Sequence, residues 1–180
     1  VQSTALVSIG ISSLSFFLVA FLFREQLAQF INFNTQFVIY ALLILLLDAL
    51  VIIPFVWFRA NQKPLKYALI KIINVCINLG CNLFFLLALP LLASNDPSAF
   101  WHSLYTQENT VLYVFISNVI ASGATLILLL GVYIKIGFHF SVSIWKKMLR
   151  YSFPVLIAGV AFSVNEAFDK ILLNYLLPPD

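Results

Sequence analysis

The chain has 180 residues, of which 62% are hydrophobic and only 9% charged, with 18 phenylalanines and a formal net charge of +3. Soluble globular domains carry about 25% charged residues, so this composition excludes an ordinary core-and-shell protein, and so few basic side chains leave no footprint for a nucleic-acid partner. A mean hydropathy of +1.02 places the chain among polytopic membrane proteins.

Five stretches are long enough to cross about 30 Å of hydrocarbon as helices of about 20 residues. They are 4–23, 36–58, 67–93, 111–134 and 151–177. Backbone groups in lipid must find partners within their own segment, which requires helices. The long unbroken apolar runs are also unlike the alternating strands of a barrel. The expected fold is therefore an all-α, polytopic membrane helix bundle of about five transmembrane helices. No basic region or small-residue cleavage site precedes the first span, so it does not read as a secretory signal, and the chain is expected to be an internal piece of a longer one.

The first span holds Gly10, Ser12, Ser13 and Ser15, small residues that let helices approach closely. The second carries Asp48 at its centre, Pro54 in its second half and Trp57 near its end. A carboxylate at the centre of a lipid-exposed helix costs about 2.5 to 3.5 kcal/mol, so Asp48 is expected to face protein or water. Pro54 removes a backbone donor and is expected to bend the helix.

The third span places Lys71, Asn74, Asn78 and Asn82 at spacings of three, four and four, on one helical face. By rise per residue, Asn78 and Asp48 lie at similar depth, about 15 Å from the connection between their spans, and a contact from Asp48 to Asn74 or Asn78 is expected. Two readings of the amide row stand side by side. One is interhelical glue; the other is the lining of a polar cavity that also takes in Lys71 and Asp48. Cys76 and Cys81 are five apart in the same span, where one helix cannot bring them together in a disulfide.

The fourth span carries Ser117, Asn118, Ser122, Gly123 and Thr125, read as packing residues. The segment after it, with Phe138, Phe140, Trp145, Lys146, Lys147 and Arg150, reads as interfacial, on an anionic leaflet. In the fifth span Asn165 and Asp169 share a face, as do Glu166 and Lys170, which allows neutralising pairs or a polar vestibule.

Lys and Arg alternate between connections. The first carries Arg24 with Glu25; the second has Arg59, Lys63 and Lys66; the third has none; the fourth has Lys135, Lys146, Lys147 and Arg150. The positive-inside rule then puts the second and fourth connections in the cytoplasm. No catalytic constellation is expected: His102 and His139 fall in different loops, without metal-ligand spacing or a paired acid, and no cofactor is called for.

The run LLLDALVIIPFVWFRANQKPLKYALIKIINVCINLGCNLFF, with KKMLRYSFPVLIAGVAFSVNEAFDKILLNYLLP, resembles the bacterial polysaccharide-biosynthesis flippases of the multidrug, oligosaccharidyl-lipid and polysaccharide exporter superfamily. The resemblance is carried by Asp48, Pro54, the stretch from Arg59 to Pro64, Lys71, Asn74 to Asn82, Pro154, Asn165, Asp169 and Lys170. It implies part of a two-lobe transporter fold: residues 1–137 as the later four helices of the first lobe, 138–150 as a cytoplasmic interfacial linker, and 151–180 as the first helix of the second lobe. It also implies alternating access that carries an undecaprenyl-diphosphate-linked oligosaccharide across the bacterial inner membrane.

On this reading Asn74, Asn78 and Asn82 meet sugar hydroxyls, and Arg59, Lys71 and Lys170 meet phosphate. Asp48 or Asp169 couples H+ or Na+, with Asn165 and Glu166 beside the path. A multidrug antiporter of the same superfamily is the nearest alternative. A membrane-embedded polymerase or acyltransferase is more distant.

Overall fold

The computed structural model describes residues 1–95 and 110–176, without the side chains of residues 93–95, 170, 171 and 173–176. Among the described residues every regular element is helical, and five helices are long and apolar enough to span a membrane. The chain divides into two compact units, Gln2–His139 and, with Val1, the segment from Phe140 onward.

In the first unit α1 (Gln2–Leu22) is followed by a short helix α2 (Arg24–Ile31) and by α3 (Thr35–Ala60). Helix α2 was not anticipated, because its residues REQLAQFI are too polar to register as a span and too few to show a clear helical period. It ends at Asn32, which takes a left-handed φ of 55° while the Phe33 N–H returns to the Ala28 carbonyl. An Asn tolerates that conformation at little cost. Asn34 then caps α3, its Oδ1 accepting from the Gln36 N–H at 3.1 Å.

Helix α4 (Pro64–Leu83) opens on a proline, whose missing N–H costs nothing at a helix start. It runs into a π turn (Phe84–Ala88) and then α5 (Leu89–Asn95). The widened turn falls just before Pro90, which cannot donate to the preceding turn, so one extra residue is accommodated there. Helix α6 (Thr110–Ile136) closes the unit, capped at Gly137, whose φ of 71° suits glycine. There the Ser3 hydroxyl donates to the carbonyls of Gly137 and His139, which ties the start of α1 to the end of α6.

Helix α6 packs between α3 and α4 and makes most of the unit's interhelical contacts with them. Ser117, Ala121 and Thr125, four residues apart, are all buried, and such small side chains let backbones approach closely where lipid supplies no hydrophobic drive. Their hydroxyls do not go unpaired: Ser117 donates to the Tyr113 carbonyl and Thr125 to the Ala121 carbonyl. Toward the basic end, Val51, Phe55, Phe58, Leu129 and Val132 form the main apolar cluster, with Tyr67 and Ile70 of α4 against it.

Pro54 sits inside α3 and is among the most fully buried side chains. A proline there leaves the carbonyl four residues earlier, Leu50, without its helical donor. The Tyr133 hydroxyl of α6 donates to that carbonyl at 2.7 Å. The break in one helix is thus repaired by its neighbour.

In the second unit α7 (Val142–Leu176) is a single long helix with Pro154 inside it. Of residues 138–150, read from sequence as an interfacial linker, 142–150 form its first turns, and Phe140 packs its ring 6.3 Å from that of Trp145.

Candidate functional site

A groove of about 630 Å³ lies in the first unit along α3, α4 and α6, and its lining includes Asp48, Lys71, Asn74, Asn118, Ser122 and Thr125. Asp48 lies near the middle of α3, about 18 Å from either end at 1.5 Å per residue. Its carboxylate is exposed to this groove and accepts a hydrogen bond from the buried Ser122 hydroxyl of α6 at 2.8 Å. One turn along α6, Thr125 accepts from the Asn74 amide of α4 at 2.8 Å. Asp48, Ser122, Thr125 and Asn74 therefore form a polar belt joining the three helices at mid-depth.

The expected direct contact from Asp48 to Asn74 or Asn78 is replaced by these two bonds, because α6 stands between α3 and α4 and supplies the partner on each side. The sequence reading paired spans that are adjacent in the chain. The structure pairs each of them with the fourth span.

The mouth of the groove is cationic and aromatic. Phe55 and Tyr67 meet edge to face at 5.2 Å. The Arg59 guanidinium lies 4.6 Å over the Tyr67 ring and donates to the Tyr67 hydroxyl at 2.8 Å; the Lys71 ammonium stands 5.0 Å from the Phe55 ring. The negative faces of the two rings hold both cations in place while leaving donors on each facing the groove. Asp48 lies about 16 Å deeper along α3 than Arg59, so the groove runs from positive at its mouth to a carboxylate at mid-depth.

The amide row divides. Asn74 lines the groove, as does Asn118 of α6. Asn78 instead donates to Asn118 Oδ1 at 2.6 Å, and Asn82 donates to Asn78 Oδ1 at 2.7 Å. This chain of amides joins α4 to α6, which is the glue reading for Asn78 and Asn82, whereas Asn74 serves both purposes. Among the described residues the buried Asn82 Oδ1 has no hydrogen-bond partner; Asn82 is the penultimate residue of α4, two before the π turn starts at Phe84.

The chain matches no family model, no curated protein and no solved structure. The site is therefore argued from its own chemistry.

Of the residues singled out from sequence, the groove brings together Asp48, Arg59, Lys71 and Asn74. Asn165, Glu166 and Asp169 are exposed on α7 in the second unit, and the Lys170 side chain lies outside the described residues. The loop residues Asp96, His102 and Glu108 lie outside them too. The sequence reading missed the site roles of Tyr67, Asn118, Ser122 and Thr125. The last three recur at spacings of four and three, the same one-face signal that exposed the amide row, but small hydroxyl residues are common at any helix interface.

Lys63, Lys66 and Lys135 gather at one end of this unit, with Arg59 close by on α3. The second connection and the end of the fourth span therefore share a side. Cys76 and Cys81 are free thiols.

Proposed function

We propose that the protein is a membrane transporter, a flippase, which moves a lipid-linked oligosaccharide from the leaflet at its basic end to the opposite leaflet by alternating access. The observation that carries this reading is the groove itself: two cations at the mouth, amides and hydroxyls behind them, and one carboxylate at mid-depth. A diphosphate-sugar headgroup cannot cross hydrocarbon unaided, so its carrier needs cations for phosphate and hydrogen-bond partners for hydroxyls along a path at membrane depth. Arg59 and Lys71 suit the diphosphate, and Asn74, Asn118 and Ser122 suit the sugar. Asp48, which accepts from the Ser122 hydroxyl, is the candidate for coupling the cycle to an H+ or Na+ gradient.

On this reading the basic end is cytoplasmic by the positive-inside rule, the membrane is the bacterial inner membrane, and undecaprenyl diphosphate carries the sugar. The isolated mid-depth carboxylate also serves a second reading, an ion-coupled multidrug antiporter, which needs no phosphate-binding cations.

The test is reconstitution of the full protein in vesicles that hold a fluorescent polyprenyl-diphosphate-linked sugar in one leaflet. Flipping should be faster than in empty vesicles and should fall about tenfold or more in Lys71→Ala and Arg59→Ala, the loss expected when a charged partner for phosphate is removed. An unchanged rate in both variants removes the phosphate assignment. Cationic dye transport without any lipid flipping would favour the antiporter.

A further inference from the structure

A second groove, of about 340 Å³, lies between the ends of α3, α4 and α6 and has a different chemistry from the first. Its rim carries Lys63, Lys66 and Lys135, and among the described residues its lining contains no carboxylate. Lys63 stands 5.2 Å over the Trp57 ring, at the level where indoles mark the membrane interface. Below the rim the walls are apolar: Leu69 lies on α4, one turn and more inside its start, and Leu128 and Gly131 lie on α6, one to two turns inside Lys135. A Cβ at Gly131 would meet nothing within 4 Å, so the slot beside it is open.

With no acid among the described lining residues, Lys63, Lys66 and Lys135 make the rim positive, and such a rim attracts an anion. The apolar walls directly beneath say what kind of anion it is. A free anion would fill the rim and leave the slot empty, whereas an amphiphile with a phosphate head and a hydrocarbon tail fills both. We infer that this groove binds an anionic phospholipid, its phosphate among Lys63, Lys66 and Lys135 and its acyl chain along Leu69, Leu128 and Gly131.

Basic recesses between membrane helices on the positive side bind lipid headgroups for this reason. The site is separate from the Asp48 groove, and its occupancy does not depend on what that groove transports. Its role is to anchor the hairpin between α3 and α4 to the end of α6, across which the headgroup would bridge.

The experiment is native mass spectrometry of the full protein released from neutral detergent, titrated with phosphatidylglycerol or phosphatidylcholine of identical chains. Phosphatidylglycerol should give one tightly held adduct at about tenfold lower concentration than phosphatidylcholine, since each lysine near the headgroup adds attraction. Lys63→Gln, Lys66→Gln and Lys135→Gln together should abolish that preference.

A Cβ at Gly131 meets nothing within 4 Å, so Gly131→Phe directs its ring into the open slot and tests the tail, and it should weaken phosphatidylglycerol by a similar factor. Equal binding of the two lipids, or a preference that survives in the triple variant, overturns the inference. So does displacement of the lipid by glycerol phosphate at matching concentration with Gly131→Phe unaffected, which would make the site one for a free phosphate.

Discussion

At the scale of single residues, the amide chain makes an asymmetric prediction. Asn78 donates to Asn118 and accepts from Asn82, so its removal strands a partner on each side; Asn82 removal strands only one, and takes away an acceptor that has no partner among the described residues. An unsatisfied buried group costs about 1–3 kcal/mol, so Asn78→Ala should destabilise the protein more than Asn82→Ala by about 1 kcal/mol, measured by reversible unfolding in mixed micelles. The Asn74 to Thr125 bond belongs to the same interface. A double-mutant cycle on that pair should return about 0.6 kcal/mol, the usual worth of an interhelical hydrogen bond in a bilayer. A coupling near zero would mean that the polar belt at mid-depth holds nothing together.

At the scale of elements, the repair of α3 is the sharpest case. Tyr133→Phe removes the hydroxyl that serves the Leu50 carbonyl and should cost about 1–3 kcal/mol in the native background. With Pro54→Ala also present, residue 54 regains an N–H for the same carbonyl, and Tyr133→Phe should then cost about 0.5 kcal/mol or less. Equal penalties in both backgrounds would separate the tyrosine from the proline.

This coupling also shows where sequence stops being readable. The five spans were legible because lipid demands about 20 apolar residues for each crossing, and the row from Lys71 to Asn82 because amides at spacings of three and four stand out in an apolar helix. The proline was visible and a bend could be expected, but the tyrosine that meets the freed carbonyl is 83 positions away in the chain. Likewise Asp48 announced that it needed a polar neighbour, without naming it. The partner is Ser122 because α6 inserts between α3 and α4, an order of packing that depends on buried small residues rather than on proximity in the chain.

At the scale of the whole molecule, charge and polarity are separated along the bundle. Lys63, Lys66 and Lys135 gather at one end of the first unit, and Arg59 and Lys71 mark the groove mouth; Asp48 lies at mid-depth. A transporter for an anionic headgroup needs that gradient: capture at the mouth, neutral hydrogen bonding further in, and a carboxylate that discourages the anion from resting at the centre unless a cation accompanies it.

Everything in the functional reading depends on water reaching this groove. With Cys76 and Cys81 replaced by alanine, single cysteines at 48, 71 and 74 and, as controls, at the exposed apolar positions Ile11 and Ile127 can be labelled in vesicles by a membrane-impermeant methanethiosulfonate. Water-lined sites should react at least about tenfold faster than the lipid-facing controls, because the reactive thiolate forms only where it is hydrated. Labelling at 48 and 74 as slow as at 11 and 127 would place the carboxylate and the amide in lipid and contradict the account.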